Sequence, residues 1–264
     1  MTDLTACTLD DLGVLTLQGP DARRFLQGQV SADVLALPVG SQSLAGLHTP
    51  QGRVIALLQL CAAADDLLQL VLPAELAAPV AAHLRRYVLR AKVSVADCSD
   101  SLRVLGVWRA DGPGLQVVAR AAPLPTLARS AADWRLARLQ AGVPQVVAAT
   151  SGHFVAQMLN LDLVGAVSFK KGCYTGQEVI ARAHYRGRVK RRAQRFVAGT
   201  EPPTPGSRWR LPDGRGIEVV NAEAAPGGCE LLAVAALAAD GSDATDLPLL
   251  DARPAPLPYS LPAD

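Results

Sequence analysis

The sequence has few aromatic residues, few histidines and no paired cysteines. Phe, Trp and Tyr make up 4% of the 264 residues, and half of the chain is hydrophobic. The five cysteines are scattered and none belongs to a C-x-x-C pair: Cys7, Cys61, Cys98, Cys173 and Cys229. This spacing argues against a disulfide framework and against a zinc site. We therefore expect a protein of a reducing, cytoplasmic compartment.

Long apolar runs and targeting signals are absent as well. The first residues contain no basic region followed by an apolar core, so we expect no secretory signal. The most apolar stretch, 54–72, is interrupted by Gln59, Asp65, Asp66 and Gln69, which is typical of buried strands and not of a membrane span. The four histidines are dispersed, and we expect no metal site.

The hydrophobic pattern predicts an α+β protein whose last third is mostly β. Helices are expected at 21–27, 79–89 and 176–185, a further regular element at 134–139, and strands at 13–18, 54–60, 67–72, 92–96, 102–108 and 115–119. Beyond residue 188 we expect short strands at 193–198, 207–211, 216–220 and 230–237, followed by a proline-rich extended strap.

Positive charge is concentrated in one segment. The net charge is only +2, but residues 170–195 contain nine Lys or Arg and a single acid, Glu178. Such a segment indicates either an anionic partner or a solvated helix face, and the residues alone leave both open.

One cysteine lies inside this basic segment. Thr175 and Glu178 have the spacing of a capping box, which predicts a helix that starts at Thr175. Cys173 would lie two residues before it, next to Lys170 and Lys171. A helix terminus contributes about 0.3–1 kcal/mol to a nearby anion, which lowers a thiol pKa by less than one unit. Cys173 is a candidate reactive thiol only if the lysines or backbone amides help, and a buried structural cysteine is the alternative.

The run KKGCYTGQE resembles the signature of the YgfZ family, which is related to the T-protein of the glycine cleavage system. The resemblance covers nearly the whole chain, in the expected order: FLQGQVSAD at 25–33, 52–60, YVLRAKVSV at 87–95, RLQAGVP at 138–144, MLNLDLVG at 158–165 and LPYSL at 257–261. The signature itself consists of Lys170, Lys171, Gly172, Cys173, Tyr174, Thr175, Gly176, Gln177 and Glu178.

This resemblance implies an aminomethyltransferase-like ring of subdomains. Residues 1–187 would form a folate-binding α+β region of two subdomains, the second shortened around 98–133, and 188–264 a C-terminal antiparallel β-barrel. The implied function is folate-dependent support of the assembly or repair of iron–sulfur proteins, and through them of tRNA modification. Cys173 would be the functional thiol, and tetrahydrofolate or another reduced folate the cofactor.

The resemblance also assigns contacts to the folate. Trp134 corresponds to a tryptophan that stacks on the pterin, Gln140 to a glutamate that reads the pterin edge, and Lys171 to a cation near the folate. A second tryptophan of some relatives is Leu12 here. The strand Val54–Leu58 lacks the catalytic aspartate of the T-protein, which argues against aminomethyl transfer of the glycine cleavage type.

Two alternative functions remain, a folate-dependent one-carbon or methyl transferase and a nucleic-acid-binding module that uses the basic segment. We expect Lys170 or Lys171 to hold the folate tail or the thiolate. The later cations would face iron–sulfur enzymes, assembly proteins or RNA: Arg186, Arg188, Lys190, Arg191 and Arg192. A helix of about ten residues, roughly 15 Å long, would separate the two groups.

Overall fold

A computed structural model describes residues 5–110, 112–125, 127–237 and 244–262. It contains three antiparallel sheets and four α-helices. The strands are β1 (Ala6–Thr8), β2 (Leu12–Gln18), β3 (Gln42–His48), β4 (Val54–Ala62), β5 (Leu67–Pro73), β6 (Ser94–Asp97), β7 (Leu102–Arg109), β8 (Gly112–Ala119), β9 (Arg191–Ala198), β10 (Arg208–Arg210), β11 (Gly216–Ala225), β12 (Gly228–Ala236) and β13 (Ala252–Ala255). The helices are α1 (Ala22–Gln27), α2 (Ala74–Arg85), α3 (Ala131–Gln140) and α4 (Gln177–Tyr185).

The first sheet has the strand order β3-β4-β5-β2-β6. The apolar faces of its strands pack against α1 and α2 in the largest core cluster, which includes Leu26, Leu58, Leu70 and Val80. Strands β2, β4, β5 and β6 and helix α1 agree with the sequence prediction, whereas β3 was not predicted. Helix α2 does not, because it begins directly after Pro73 and contains Pro79 in its interior instead of starting there.

The second sheet is small, with the order β1-β7-β8, and α3 packs against it. The region predicted to be shortened, 98–133, contributes strands β7 and β8, and α3 begins near its end at Ala131. Trp134, on α3, joins Cys7, Leu9, Val104 and Leu115 in a separate cluster. This cluster also contains Val14 and Val71 of the first sheet, so it fixes α3 to that sheet.

The third sheet has the order β10-β11-β12-β9-β13. The strands predicted at 207–211 and 216–220 form the antiparallel pair β10 and β11, and the strap contributes strand β13. Just before β13, the backbone exchanges hydrogen bonds with Arg210 of β10: Arg210 N donates to Pro248 O, and Leu250 N donates to Arg210 O, each at 2.9 Å. The strand order has β10 and β13 at its two ends and does not close into a ring, so the predicted closed barrel is not confirmed.

A third cluster joins the first sheet to the third sheet. It combines Leu57 of β4, Leu139 of α3, Ile180 of α4 and Val234 of β12. The loop after α3 is held from outside by Tyr259, whose Oη donates to Gly142 O at 2.7 Å. None of the helices in the described ranges is long and apolar enough to cross a membrane.

Candidate functional site

The Cys173 segment, residues 170–176, is an irregular stretch that leads into α4. It is fixed on one side by Tyr174, which is buried in the cluster between the first and third sheets. On the other side, Gly176 has φ +83°, and a Cβ there would lie 2.5 Å from Thr49 O. Because L-residues with side chains disfavour this conformation and the space is occupied, only glycine fits at position 176. The Cys173 segment is therefore held in one position against the β3–β4 turn.

The predicted capping box is wrong. Gly176 is the N-cap, α4 begins at Gln177, and no side chain caps the helix. Thr175 lies in the turn before Gly176, and Glu178 instead pairs with Arg182 at 2.9 Å. Cys173 is three residues before the N-cap, where the helix dipole has little effect.

Exposure distinguishes Cys173 from the other cysteines. Cys173 is exposed, and Cys7, Cys61 and Cys229 are buried. Burial raises the pKa of these three thiols, that of Cys61 to about 11. Cys98 is half-buried, with its Sγ 3.3 Å from the hydroxyl of Thr16. Cys173 is thus the thiol most accessible to a partner, and its chemical role stays a prediction.

Lys171 does not have the role that we predicted. Its side chain is buried, and Nζ donates to the backbone oxygens of Gln27, Val30 and Ala32 at 2.5, 2.6 and 2.9 Å. An ammonium group has three donors, so none is left for a folate tail or a thiolate. Lys171 instead ties the Cys173 segment to the loop after α1, while Lys170 is exposed.

His48 lies beneath the same segment and was missed by the sequence analysis. Its ring centroid is 6.2 Å from that of Tyr174, and its side chain is fully buried. Neither ring nitrogen has a hydrogen-bond partner of normal geometry. Burial lowers the pKa of His48 to about 4, with a weaker opposing effect from the Gly52 backbone. The imidazole is therefore neutral at physiological pH.

A second candidate site is a cavity beside α3. The helix starts with a capping box between Ser130 and Asp133, and Trp134 lies one residue beyond it. Trp134 is only 3% exposed, and its Nε1 donates to Gly114 O at 2.7 Å. The cavity has a volume of about 40 Å³, so a pterin would enter only after the walls move. Its lining is Leu12, Leu57, Gln59, Val71, Leu72, Pro73, Leu115, Trp134, Arg138, Pro144 and Gln145.

Gln140 is not part of that lining. Its Nε2 donates to Glu230 Oε1 at 2.8 Å, and the same carboxylate accepts from Arg195 at 2.7 Å. The predicted contact of Gln140 with folate is therefore at odds with this geometry. Arg138, one turn after Trp134, does line the cavity, and an arginine four residues from a tryptophan was the available sequence signal.

The basic segment divides into buried and exposed cations. Arg192 is only 4% exposed and forms a bidentate pair with Asp162, with N–O distances of 3.0 and 2.9 Å. Its predicted contact with RNA is therefore wrong. Arg191 is half-buried in β9, whereas Arg186, Arg188 and Lys190 are exposed around the end of α4.

The two candidate sites are separate. The described lining of the Trp134 cavity contains no residue of 170–195, and one lining residue, Leu57, belongs to the core cluster that also contains Tyr174. No group of three His, Cys, Asp or Glu suited to a metal ion occurs in the described ranges.

Comparison with known proteins gives consistent relatives. No protein-family model matches the chain. The tRNA-modifying protein YgfZ of Serratia proteamaculans (strain 568) is 33% identical over 71% of this chain and 69% of its own. Those of Escherichia coli (strain SE11) and Klebsiella pneumoniae (strain 342) are 31% and 29% identical, each over 78% of both chains.

A solved structure resembles the fold. The glycine cleavage system aminomethyltransferase T from Bartonella henselae has a TM-score of 0.68 and 16% identity, covering 89% of this chain and 79% of its own. This similarity confirms the predicted aminomethyltransferase-like fold with mixed helices and sheets.

Proposed function

The chain belongs to the YgfZ family, and from this membership we propose that it is a folate-binding accessory protein for iron–sulfur proteins. It would support their assembly or repair and, through them, tRNA modification, the activity named in its relatives. The observation that carries the proposal is the exposed Cys173 on a segment that is fixed by buried neighbours on both sides. A thiol presented in this way is accessible to a large partner.

The test is complementation in cells that lack their own family member. Cys173→Ala is expected to keep the melting temperature of the wild type and to lose the activity of iron–sulfur enzymes. Cys98→Ala is the matched control, because Cys98 is half-buried outside the signature. Full complementation by Cys173→Ala would contradict the proposal.

We propose the Trp134 cavity as the place where tetrahydrofolate or another reduced folate binds. Supporting observations are its tryptophan, its apolar walls and three polar side chains, a composition common in small-ligand sites. Trp134→Phe is expected to remove most of the fluorescence quenching on titration, and Trp134→Ala is expected to weaken binding by about 1–3 kcal/mol. Trp209→Phe and Trp209→Ala, in the third sheet, are the controls. Equal dissociation constants for wild type and Trp134→Ala would leave Trp134 a core residue.

A transferase is the less favoured alternative. Strand β4 carries no carboxylate, so no acid or base of that kind lies beside the cavity from this strand. Among the described lining residues of the cavity there is likewise none. General acid–base chemistry on the folate nitrogen would need such a group.

We further propose that Arg186, Arg188 and Lys190 bind an anionic partner, either a client protein or RNA. Their exposure supports this role. Arg186→Glu with Arg188→Glu is expected to impair complementation while folate affinity stays unchanged. Affinity for RNA that falls steeply with salt would favour RNA over a protein as the partner.

The domain division at 187/188 and the closed C-terminal barrel are also proposals. One stretch, 248–255, contacts β10 through Arg210 and pairs with β9 through β13, the two sides that a closed barrel would join.

A further inference from the structure

Arg138 is a cation without a counter-ion in the Trp134 cavity. Its guanidinium carbon lies 5.1 Å from the centroid of the Trp134 ring. Its one recorded side-chain hydrogen bond goes from Nη1 to Gln59 Oε1 at the long distance of 3.4 Å. The residue is half-buried, no carboxylate pairs with it within the described ranges, and burial lowers its pKa to about 10.

Arg192 is a buried arginine of the same protein whose guanidinium donors have hydrogen-bond partners. It binds both oxygens of Asp162 and also donates to Gln157 O at 3.0 Å and Asn160 Oδ1 at 3.2 Å. Because taking a charge out of water is costly, buried arginines are normally paired in this manner. Arg138 lacks these partners although it has the same five donors.

The lining of the cavity restricts what can satisfy Arg138. Besides Arg138, its polar side chains are the amides of Gln59 and Gln145, and the other lining residues are apolar. The electrostatic potential in the cavity is therefore positive. A ligand with an acceptor or anionic group at its edge complements this cavity, whereas a cationic ligand does not.

We propose that Arg138 is a ligand-binding residue that donates hydrogen bonds to a carboxylate or carbonyl oxygen of the molecule in the Trp134 cavity. The identification of this molecule as a folate rests on the proposed function. A folate offers such oxygens in two places, the pterin carbonyl and the carboxylates of the glutamate tail. The planar fork of Arg138 matches either, and the flat face of Trp134 lies beside it.

The first test compares the stability of two variants without ligand. Arg138→Met removes an uncompensated charge and is expected to melt at the temperature of the wild type or a few °C above it. Arg192→Met, the matched control, leaves Asp162 buried without a partner and is expected to melt roughly 10 °C lower. If Arg138→Met fails to fold or melts as low as Arg192→Met, Arg138 is structural and the inference is wrong. This test stands whether or not the ligand is a folate.

The second test measures binding of tetrahydrofolate and of tetrahydrobiopterin, a reduced pterin without a carboxylate. Arg138→Met is expected to weaken tetrahydrofolate binding about 10- to 100-fold, the range for a hydrogen bond to a charged group. An equal loss for tetrahydrobiopterin assigns the contact to the pterin carbonyl, and a loss for tetrahydrofolate alone assigns it to the tail. Unchanged affinity for tetrahydrofolate in Arg138→Met overturns the inference. No binding to the wild type would instead refute the folate function and leave the first test to decide about Arg138.

Discussion

Acidification should loosen the Cys173 segment through His48. The pKa of His48 is about 4 in the folded protein, against 6.5 for a free histidine. Between these values the unfolded chain binds a proton that the folded protein does not bind, so stability falls as the pH drops through this range. Above pH 6.5 the imidazole is neutral in both states and the effect vanishes.

The size of the effect follows from the two pKa values. Each unit of pKa corresponds to about 1.4 kcal/mol, so the full loss, reached below pH 4, is about 3 kcal/mol. The loss is about 1.4 kcal/mol at pH 5.5 and about 2 kcal/mol at pH 5. These values concern His48 alone, and other groups titrate in the same range.

A comparison with His48→Leu isolates this contribution. Urea unfolding at pH 7.5, 6.5, 5.5 and 5.0 gives the free energy of unfolding of both proteins. From pH 7.5 to pH 5, the free energy of unfolding of the wild type should fall by about 2 kcal/mol more than that of His48→Leu. The same pH profile for both proteins would refute the reasoning, because the buried imidazole would then not resist protonation.

The location of the loosening can be tested as well. The His48 side chain contacts Gly176, since a Cβ on Gly176 would lie 3.1 Å from the His48 Cβ. Amide hydrogen exchange at 172–177, corrected for the intrinsic effect of pH, should therefore increase at pH 5.5 in the wild type and less in His48→Leu.

Three substitutions test the contacts that hold this region. Gly176→Ala should destabilise the protein by about 2 kcal/mol or more, because φ is +83° and the new Cβ would meet Thr49 O. Gly172→Ala, where the new Cβ has open space, should change the free energy of unfolding by less than about 0.5 kcal/mol, and equal urea midpoints of the two variants would contradict this. Lys171→Met should lower the free energy of unfolding by about 3 kcal/mol, because it leaves three backbone carbonyls unpaired, whereas Lys170→Met, at an exposed position, should change it little. Similar melting temperatures of the two variants in thermal unfolding would show that Lys171 is not needed for stability. Asp162→Asn should cost about 3 kcal/mol or more because its arginine partner stays buried and charged, and a variant with the stability of the wild type would disprove this pairing.

Local patterns predicted the elements well, and the failures have physical causes. Strands β2, β4 and β5 and the start of α1 were predicted because their apolar residues reflect burial, which in β4 and β5 extends to both faces of the sheet. The N-cap of α4 was misplaced by one residue because a positive φ at Gly176 is a property of the tertiary contact with the β3–β4 turn. Thr175 matches the capping pattern in the sequence, but it lies one residue before the N-cap and its side chain does not cap α4.

The roles of the cations could not be predicted from their position in the sequence. Arg192 and Arg188 lie in the same basic run, yet Arg192 is buried against an aspartate 30 positions away. The acceptors of Lys171 are backbone oxygens, which any sequence provides, so the residue types around α1 do not predict these hydrogen bonds. The position of Arg138 beside Trp134 follows from helix geometry and was accessible from the sequence, but its lack of a counter-ion was not.

The hydrogen bond between Tyr259 and Gly142 has a consequence for the order of events during synthesis. The two residues are 117 positions apart, so at a translation rate of about 5–20 residues per second the loop after α3 exists on the order of ten seconds before Tyr259 is made. During that time the first sheet can form on its own local contacts, while α3 and its cavity have no outer support. Tyr259 then fills the space above Gly142, where a Cβ would lie 2.7 Å from its ring. A chain that ends within the third sheet therefore lacks both the outer support of the loop after α3 and part of the cluster that buries Tyr174.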